Sequence, residues 1–277
     1  MVRTADGRVV ASTDLLIEGR HFRRDWSTAN DIGHKAAARN FADIVAMGAV
    51  PTALLVGLAA PPSLELEWAD GLMAGLREEC GEVGAAVVGG DVSESETITL
   101  GVTALGDLQG RDPVTLDGAR PGDIVAFAGR LGWADAGFAV LGRGFRSPVQ
   151  IVAAHRRPEV PYAEGPRAAD LGATSMTDVS DGLIADLGHI ADASGVRIEL
   201  RGNLVPVPRK LKEVGAALNI DPLVWVFTGG DDYALVATFA KGTPLPDAWT
   251  VIGAVVEGEG VRVDDRRWPT GGHEHFR

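Results

Sequence analysis

The chain has 277 residues, 45% of them hydrophobic and 23% charged, which is enough apolar material for a substantial core and excludes wholesale disorder. With 38 acidic against 26 basic residues the net charge is −12, which argues against a nucleic-acid partner, because binding a polyanion needs a basic face that displaces counterions. No apolar run reaches the roughly 18 residues that cross a bilayer, the N-terminus has no charged-then-apolar leader, and Cys80 is the single cysteine, so a cytoplasmic protein with no membrane partner is expected.

In chain order, an Asp6-Gly7 turn introduces a short strand over 8–12. The alanine-rich stretch 29–48 reads as a helix halted by Gly48 and Pro51. Residues 53–58 form a compact apolar run with the length of a buried strand. After Pro61-Pro62, Ser63 can cap a helix carrying Leu64, Trp68, Leu72, Leu76 and Cys80 on one face, which makes Cys80 a packing residue. A strand over 85–88, a Gly89-Gly90-Asp91 turn and a strand over 97–105 follow. The segment 109–123 is rich in Pro, Gly and Asp and is expected to link two domains, 1–112 and 113–277. Beyond it come a strand over 124–128, helices over 133–141, 151–157 and 162–171, and a strand over 173–177. A helix closed by Gly195, with His189 half-buried on it, and strands over 196–200, 233–239 and 251–256 complete the pattern. The fold class expected is mixed α/β in two domains.

Four segments share one pattern, a small or apolar run followed by Asp flanked by Gly, Ser or Thr. They are Ser12-Thr13-Asp14, Gly89-Gly90-Asp91, Asp178-Val179-Ser180-Asp181-Gly182 and Gly229-Gly230-Asp231-Asp232. A fifth acid, Asp43, lies three residues after Asn40 and shares its helix face. Each segment alone reads more readily as a helix cap or a tight turn. Together they suggest carboxylates gathered in one cleft, which is favourable mainly when cations lie between them. Hard oxygen ligands suit Mg²⁺, which bridges protein carboxylates to substrate phosphates. The residues therefore point to a polyphosphate site with several Mg²⁺. Other nucleotide machinery is missing from the sequence: there is no G-x-x-x-x-G-K-[ST] loop, no H-R-D with D-F-G, and no H-E-x-x-H helix. With only four lysines in the chain, metal and backbone are expected to handle phosphate with little help from Lys.

The ordered set of segments resembles the thiamine-monophosphate kinase family. Ser12-Thr13-Asp14 is followed by Glu18-Gly19-Arg20-His21-Phe22, then by Asn40-Phe41-Ala42-Asp43-Ile44-Val45-Ala46-Met47-Gly48-Ala49 and Val88-Gly89-Gly90-Asp91. Ala119-Arg120-Pro121-Gly122-Asp123, Asp178-Val179-Ser180-Asp181-Gly182-Leu183, Asp186-Leu187-Gly188-His189-Ile190 and Gly229-Gly230-Asp231-Asp232-Tyr233 extend the match over essentially the whole chain. The resemblance implies ATP- and Mg²⁺-dependent phosphorylation of thiamine monophosphate to thiamine diphosphate, by direct in-line transfer without a phospho-enzyme. It also implies a homodimer whose N-terminal domains pair into a β-barrel-like sheet with flanking helices, and ATP in the cleft against a C-terminal α/β domain.

Carried over residue by residue, the resemblance implies Mg²⁺ at Ser12, Thr13, Asp14, Asp43, Asp91, Asp178 and Asp181. It implies ATP at Gly90, Asp91 and Ser180, and substrate at His21, Asp231 and His273. Five departures accompany it. A metal-ligating Asp of the family would precede Met1. Asp231 stands where the family has Glu, Leu116 where an arginine meets ATP, Met73 where a tyrosine lies near adenine, and His273 where an aromatic precedes x-His-Phe. On the residues alone two other readings stay open. One is a related ATP-dependent synthetase of the aminoimidazole ribonucleotide and selenophosphate synthetase superfamily, and the other is a nucleotide-binding homologue without turnover.

Overall fold

Two β-sheets, each covered by helices, organise the chain, and one helix lies between them. The computed structural model describes residue 4, residues 6–264 and residue 268. The first half comprises β1 (Val10–Ile17), α1 (Ala29–Ala46), β2 (Val50–Ala60), α2 (Leu66–Val83), β3 (Ala86–Glu94) and β4 (Thr99–Asp107). The sheet order is β1-β4-β2-β3, antiparallel except for β2–β3, whose parallel pairing requires the α2 crossover. Thr28 and Asp31 form a reciprocal capping box that starts α1.

Both α1 and α2 bury one face of this sheet over Leu16, Ile32, Phe41, Leu54, Leu76 and Leu100. The other face stays open, and Leu15 and Leu55 project from it at 58% and 40% exposure. Along β1 the side chains alternate, with Val10 and Leu16 buried and Ala11, Thr13 and Leu15 exposed on the opposite face.

The second half runs β5 (Ile124–Ala128), α3 (Trp133–Gly142), α4 (Val149–Arg156), α5 (Glu164–Asp170), β6 (Ala173–Val179) and α6 (Leu183–Ser194). It ends with β7 (Arg197–Leu200), α7 (Arg209–Leu218), α8 (Pro222–Thr228), β8 (Ala234–Phe239), β9 (Trp249–Val256) and β10 (Gly260–Val263). Its six-stranded sheet has the order β10-β7-β9-β5-β8-β6. One core packs Val140, Leu187, Trp225 and Phe227 against Val236 and Ile252. On the other side Ala38, Ala42 and Val45 of α1 pack with Ala126, Leu235 and Phe239. The small side chains of α1 thus let one helix join both halves.

Several local expectations change. Ser12-Thr13-Asp14 lies inside β1, and Gly89-Gly90-Asp91 lies inside β3 rather than in a turn, because ladder partners extend both strands past their apolar runs. The N-cap of α2 is Glu65, without a side-chain cap bond, rather than Ser63. His189 is exposed rather than half-buried. Helices α7 and α8 stand where no element was expected. Their prolines occupy the N-cap (Pro208) and the first helical turn (Pro222), where proline starts a helix instead of breaking one. Cys80 is buried at 2% exposure as a packing residue.

The two helices over the first sheet touch backbone to backbone. A Cβ on Gly75 would lie 2.1 Å from the Asn30 carbonyl oxygen, and one on Gly33 2.2 Å from that of Leu72. Gly75→Ala must therefore separate α1 from α2, and a loss of about 1–3 kcal/mol is expected. Urea unfolding would record it as a lowered midpoint at unchanged slope; an unmoved midpoint would contradict the close approach.

Candidate active site

Three carboxylates converge where β1, α1 and β6 meet. On β1, Ser12 and Asp14 are two residues apart and so project on one face. The Ser12 hydroxyl donates to Asp43 Oδ2 of α1 at 2.5 Å. Asp14 accepts from Arg39 Nε at 3.3 Å. Asp178, near the end of β6, is only 6% exposed, and its Oδ2 has no hydrogen-bond partner. Burial pushes the Asp43 carboxyl up to about 6, with Asp14 adding to the effect and the Ser12 hydroxyl opposing it. Asp178 is raised well above the usual carboxylate range by burial and by the charges of Asp43 and Asp186. A buried carboxylate oxygen without a donor, with two further acids and the Ser12 hydroxyl beside it, forms an all-oxygen set that fits a hard divalent cation.

A second group forms where the loop after β6 meets the loop before β8. Asp231 N–H donates to the Ser180 carbonyl at 2.8 Å and Tyr233 N–H to the Val179 carbonyl at 2.9 Å. The contact is so close that a Cβ on Gly230 would lie 2.4 Å from the Ser180 oxygen. Asp231 and Tyr233 both hold positive φ, 64° and 52°, an unusual backbone for non-glycine residues. The two acids of the Gly-Gly-Asp-Asp segment then diverge. Asp232 turns inward and accepts from the Gly132 and Ala134 N–H groups at the start of α3. Asp231 turns toward α1, where its Oδ2 accepts from Lys35 Nζ at 2.8 Å and its Oδ1 from the Tyr233 hydroxyl at 2.8 Å. Burial opposes ionisation of Asp231, but Lys35 and Arg39 outweigh it and hold the carboxyl well below its ordinary range.

His21 is half-buried, and its Nδ1 accepts from the Ile17 N–H at 3.0 Å, so the neutral ring carries its proton on Nε2. Burial and the Arg39 charge lower its pKa, which keeps it neutral. In the loop before α6, Asp181 N–H and Gly182 N–H donate to Asp186 Oδ2 at 3.1 and 2.9 Å. A cavity of about 460 Å³ opens beside the acids, lined by Asp43, Asp178 and Asp117 and by Val10, Met47, Val114, Leu116 and Met176 among others. Such a space, lined by both apolar side chains and acids, suits a flat ring carrying phosphates near cations.

The sequence-based site residues divide. Ser12, Asp14, Asp43 and Asp178 come together, and Ser180 and Asp181 lie on the loop beside them. Thr13 turns to the open face of its sheet, where its hydroxyl donates to the Val102 carbonyl at 3.1 Å. Asp91 lies on β3, at the sheet edge opposite β1, in one row with Gly57, Gly101 and Leu15 on the same open face. Three strand spacings, about 14 Å in a flat sheet, separate that row's ends. Gly90 sits beside it, so close to β2 that a Cβ would lie 1.9 Å from the Val56 oxygen. Leu116 lines the cavity, whereas Met73 packs against the first core. His273 lies outside the described residues. Sequence reasoning missed Lys35 and Arg39 and expected little from lysine. Their spacing from Asp43, eight and four residues respectively, places all three on one face of α1 and was the available signal.

Two family models match the chain: AIR synthase related protein, N-terminal domain, over residues 1–108, and AIR synthase related protein, C-terminal domain, over residues 120–266. The chain is 46% identical over 270 residues to the thiamine-monophosphate kinase of Mycobacterium tuberculosis, covering 97% of this chain and 80% of that one. It is 40% identical to the Corynebacterium glutamicum thiamine-monophosphate kinase over 245 residues, 86% of this chain and 74% of that one. Among solved structures it is similar to AaThiL complexed with AMPPCP and TMP, with a TM-score of 0.93 and 33% identity over 99% of this chain and 89% of that one.

The acid cluster generates a pH prediction for the metal-free protein. The folded state holds the Asp43 proton up to about 6, against 3.8 as the ordinary value, so between those values it binds more protons than the unfolded chain. Stability contributed there falls as pH rises. Thermal melting in EDTA should show a lower midpoint at pH 7 than at pH 5, and Asp43→Asn should flatten that slope. A slope unchanged by the substitution would remove Asp43 as its source.

Proposed function

The chain belongs to the AIR synthase related family and, within it, to the thiamine-monophosphate kinases, and we propose how its own residues carry out that reaction. It catalyses ATP-dependent phosphorylation of thiamine monophosphate to thiamine diphosphate. In the transfer, an oxygen of the substrate phosphate forms a bond to the γ-phosphorus of ATP. The bond from that phosphorus to the β–γ bridging oxygen breaks, and its electron pair leaves with ADP. The accepting phosphate is ionised near neutral pH, so no side chain has to remove a proton from it. The barrier comes from bringing anions together in line, and the site's task is charge compensation and alignment.

We assign Mg²⁺ binding to Ser12, Asp14, Asp43 and Asp178, with Asp181 and the Thr13 and Asp91 pair as further positions. The unpartnered Asp178 oxygen is the observation that best supports this assignment. Bound there, Mg²⁺ supplies compensation of phosphate charge, which is how a cluster of acids comes to serve an anionic substrate. Arg39 holds Asp14 in its orientation, and Ser12 holds Asp43. The cavity walled by Met47, Val114, Leu116 and Met176 receives the nucleotide ring, with Ser180 at the phosphates, and Gly90, on β3 with Asp91, reaches them only from a second copy. His21 and Asp231 face the substrate. The protein acts in the cytoplasm, and its units are residues 1–112 and 113–277.

We further propose a homodimer closed through the open face of the first sheet. Leu15 and Leu55 on that face, and Val88 and Val92 at 52% and 76% exposure on β3, support it. Placing β3 of a second copy beside β1 would also bring the partner subunit's Asp91 to the edge that carries Thr13, the neighbour of Asp14 in the chain. That arrangement unites residues which one chain holds at opposite sheet edges.

Chromatography after incubation with ATP, Mg²⁺ and thiamine monophosphate should detect thiamine diphosphate, with none formed from free thiamine or without metal. Product from free thiamine, or its absence from every reaction, would reject the substrate reading. Leu55→Glu should convert a dimer to a monomer in sedimentation velocity and lower turnover at least 10-fold, since each site would lose the partner's Asp91. A monomeric wild type would dispose of the shared site.

A further inference from the structure

Lys35 is one of only four lysines in the chain, and it is buried at 3% exposure. A buried ammonium is costly unless it is paired and hydrogen-bonded. Here Nζ has two partners, the His155 carbonyl at 3.3 Å and Asp231 Oδ2 at 2.8 Å. The two ends of the ion pair differ in access. The Lys35 side chain is 4% exposed, and that of Asp231 is 34% exposed. Lys35 therefore does not reach the cleft itself, whereas Asp231 does.

Each carboxylate oxygen can accept about two hydrogen bonds. Lys35 occupies one site on Oδ2, and the Tyr233 hydroxyl occupies one on Oδ1 at 2.8 Å. The carboxylate is thus tied at both oxygens, and each oxygen keeps acceptor capacity that neither Lys35 nor Tyr233 uses, on a side chain that is 34% exposed. Tyr233 lies in turn beneath Arg39, whose guanidinium carbon is 5.9 Å from the ring centre. The positive φ at both Asp231 and Tyr233 shows that the backbone here is bent to suit this arrangement.

We propose that Lys35 is a positioning residue that holds Asp231 ionised and oriented so that its free lone pairs meet an N–H donor on the ring portion of the substrate. The inference rests on the reading of Asp231 as substrate-facing. It adds that the recognised feature is a hydrogen-bond donor. The Lys35–Asp231 pair is neutral overall, so it offers a fixed acceptor with little net charge to attract a cationic ring.

Calorimetry with thiamine monophosphate, without metal or ATP, tests the proposal on Lys35→Met, Asp231→Asn and the double variant. Lys35→Met should weaken binding about 10-fold or more. In turnover assays the KM for thiamine monophosphate should rise in parallel, with kcat within about 3-fold and affinity for a non-hydrolysable ATP analogue unchanged. Because Lys35 acts through Asp231, the double variant should bind no more than about 2-fold worse than the weaker single variant. Binding by Lys35→Met within 2-fold of wild type, losses that multiply in the double variant, or a fall confined to kcat would each overturn the proposal. The same cycle read as melting temperature needs no ligand: each single substitution strands a charge and lowers the midpoint, and the double variant should recover part of the loss. A wild type that fails to bind thiamine monophosphate would reject the substrate reading, while the melting cycle still decides whether Lys35 and Asp231 act as a pair.

Discussion

The rest of the structure depends on α1, a helix buried between two sheets with a strip of charge along one side. Ala38, Ala42 and Val45 pack on the second sheet, and Ile32, Phe41 and Ile44 pack on the first. Small residues allow both contacts. The face left over carries Lys35, Arg39 and Asp43 at four-residue steps, and it becomes the floor of the cleft. A helix with larger residues in place of those alanines would hold the two sheets further apart and dissolve the cleft.

That floor has a polarity of its own. At one end Lys35 meets Asp231, in the middle Arg39 meets Asp14, and at the other end Asp43 meets Ser12 near Asp178. Positive partners neutralise the acids toward the Lys35 end, and acids accumulate uncompensated toward Asp43 and Asp178. That residual negative charge is what makes the acid end of the cleft suited to divalent cations. Asp231 and Asp178 show the contrast most clearly: both are acids facing one cleft, and neighbours drive them in opposite directions, one held ionised by Lys35 and Arg39, the other raised by burial beside Asp43 and Asp186.

The first sheet contributes differently. Its covered face feeds Ser12 and Asp14 into the cleft, and its open face carries Thr13 and Asp91 at opposite edges among exposed apolar side chains. Apolar residues on an open sheet face and unpaired edge strands are hazards for a lone chain. Closing the sheet against a second copy would cover the apolar face and pair the edges.

The residues by themselves pointed to a polyphosphate site with hard cations, and it was the ordered resemblance to a known family that supplied the reaction. Acids flanked by Gly, Ser and Thr are local features, their order along the chain is specific, and hard oxygen ligands carry their own chemical meaning. Most element types followed from apolar spacing, since that spacing reports which local face seeks a core. Strand limits were less accessible: the ends of β1 and β3 are stabilised by ladder partners rather than by their own side chains, so Ser12-Thr13-Asp14 and Gly89-Gly90-Asp91 read as turns or strand ends. Only the tertiary structure decided which acids share a space. Sheet order β1-β4-β2-β3 sends Asp91 to the edge far from Asp14, and strand alternation separates Thr13 from its neighbours. Lys35 and Asp231 form a pair across 196 positions of sequence, and nothing local in either segment announces the other. Contacts at such separation arise from how two sheets enclose one helix, and that enclosure is a property of the packed chain as a whole.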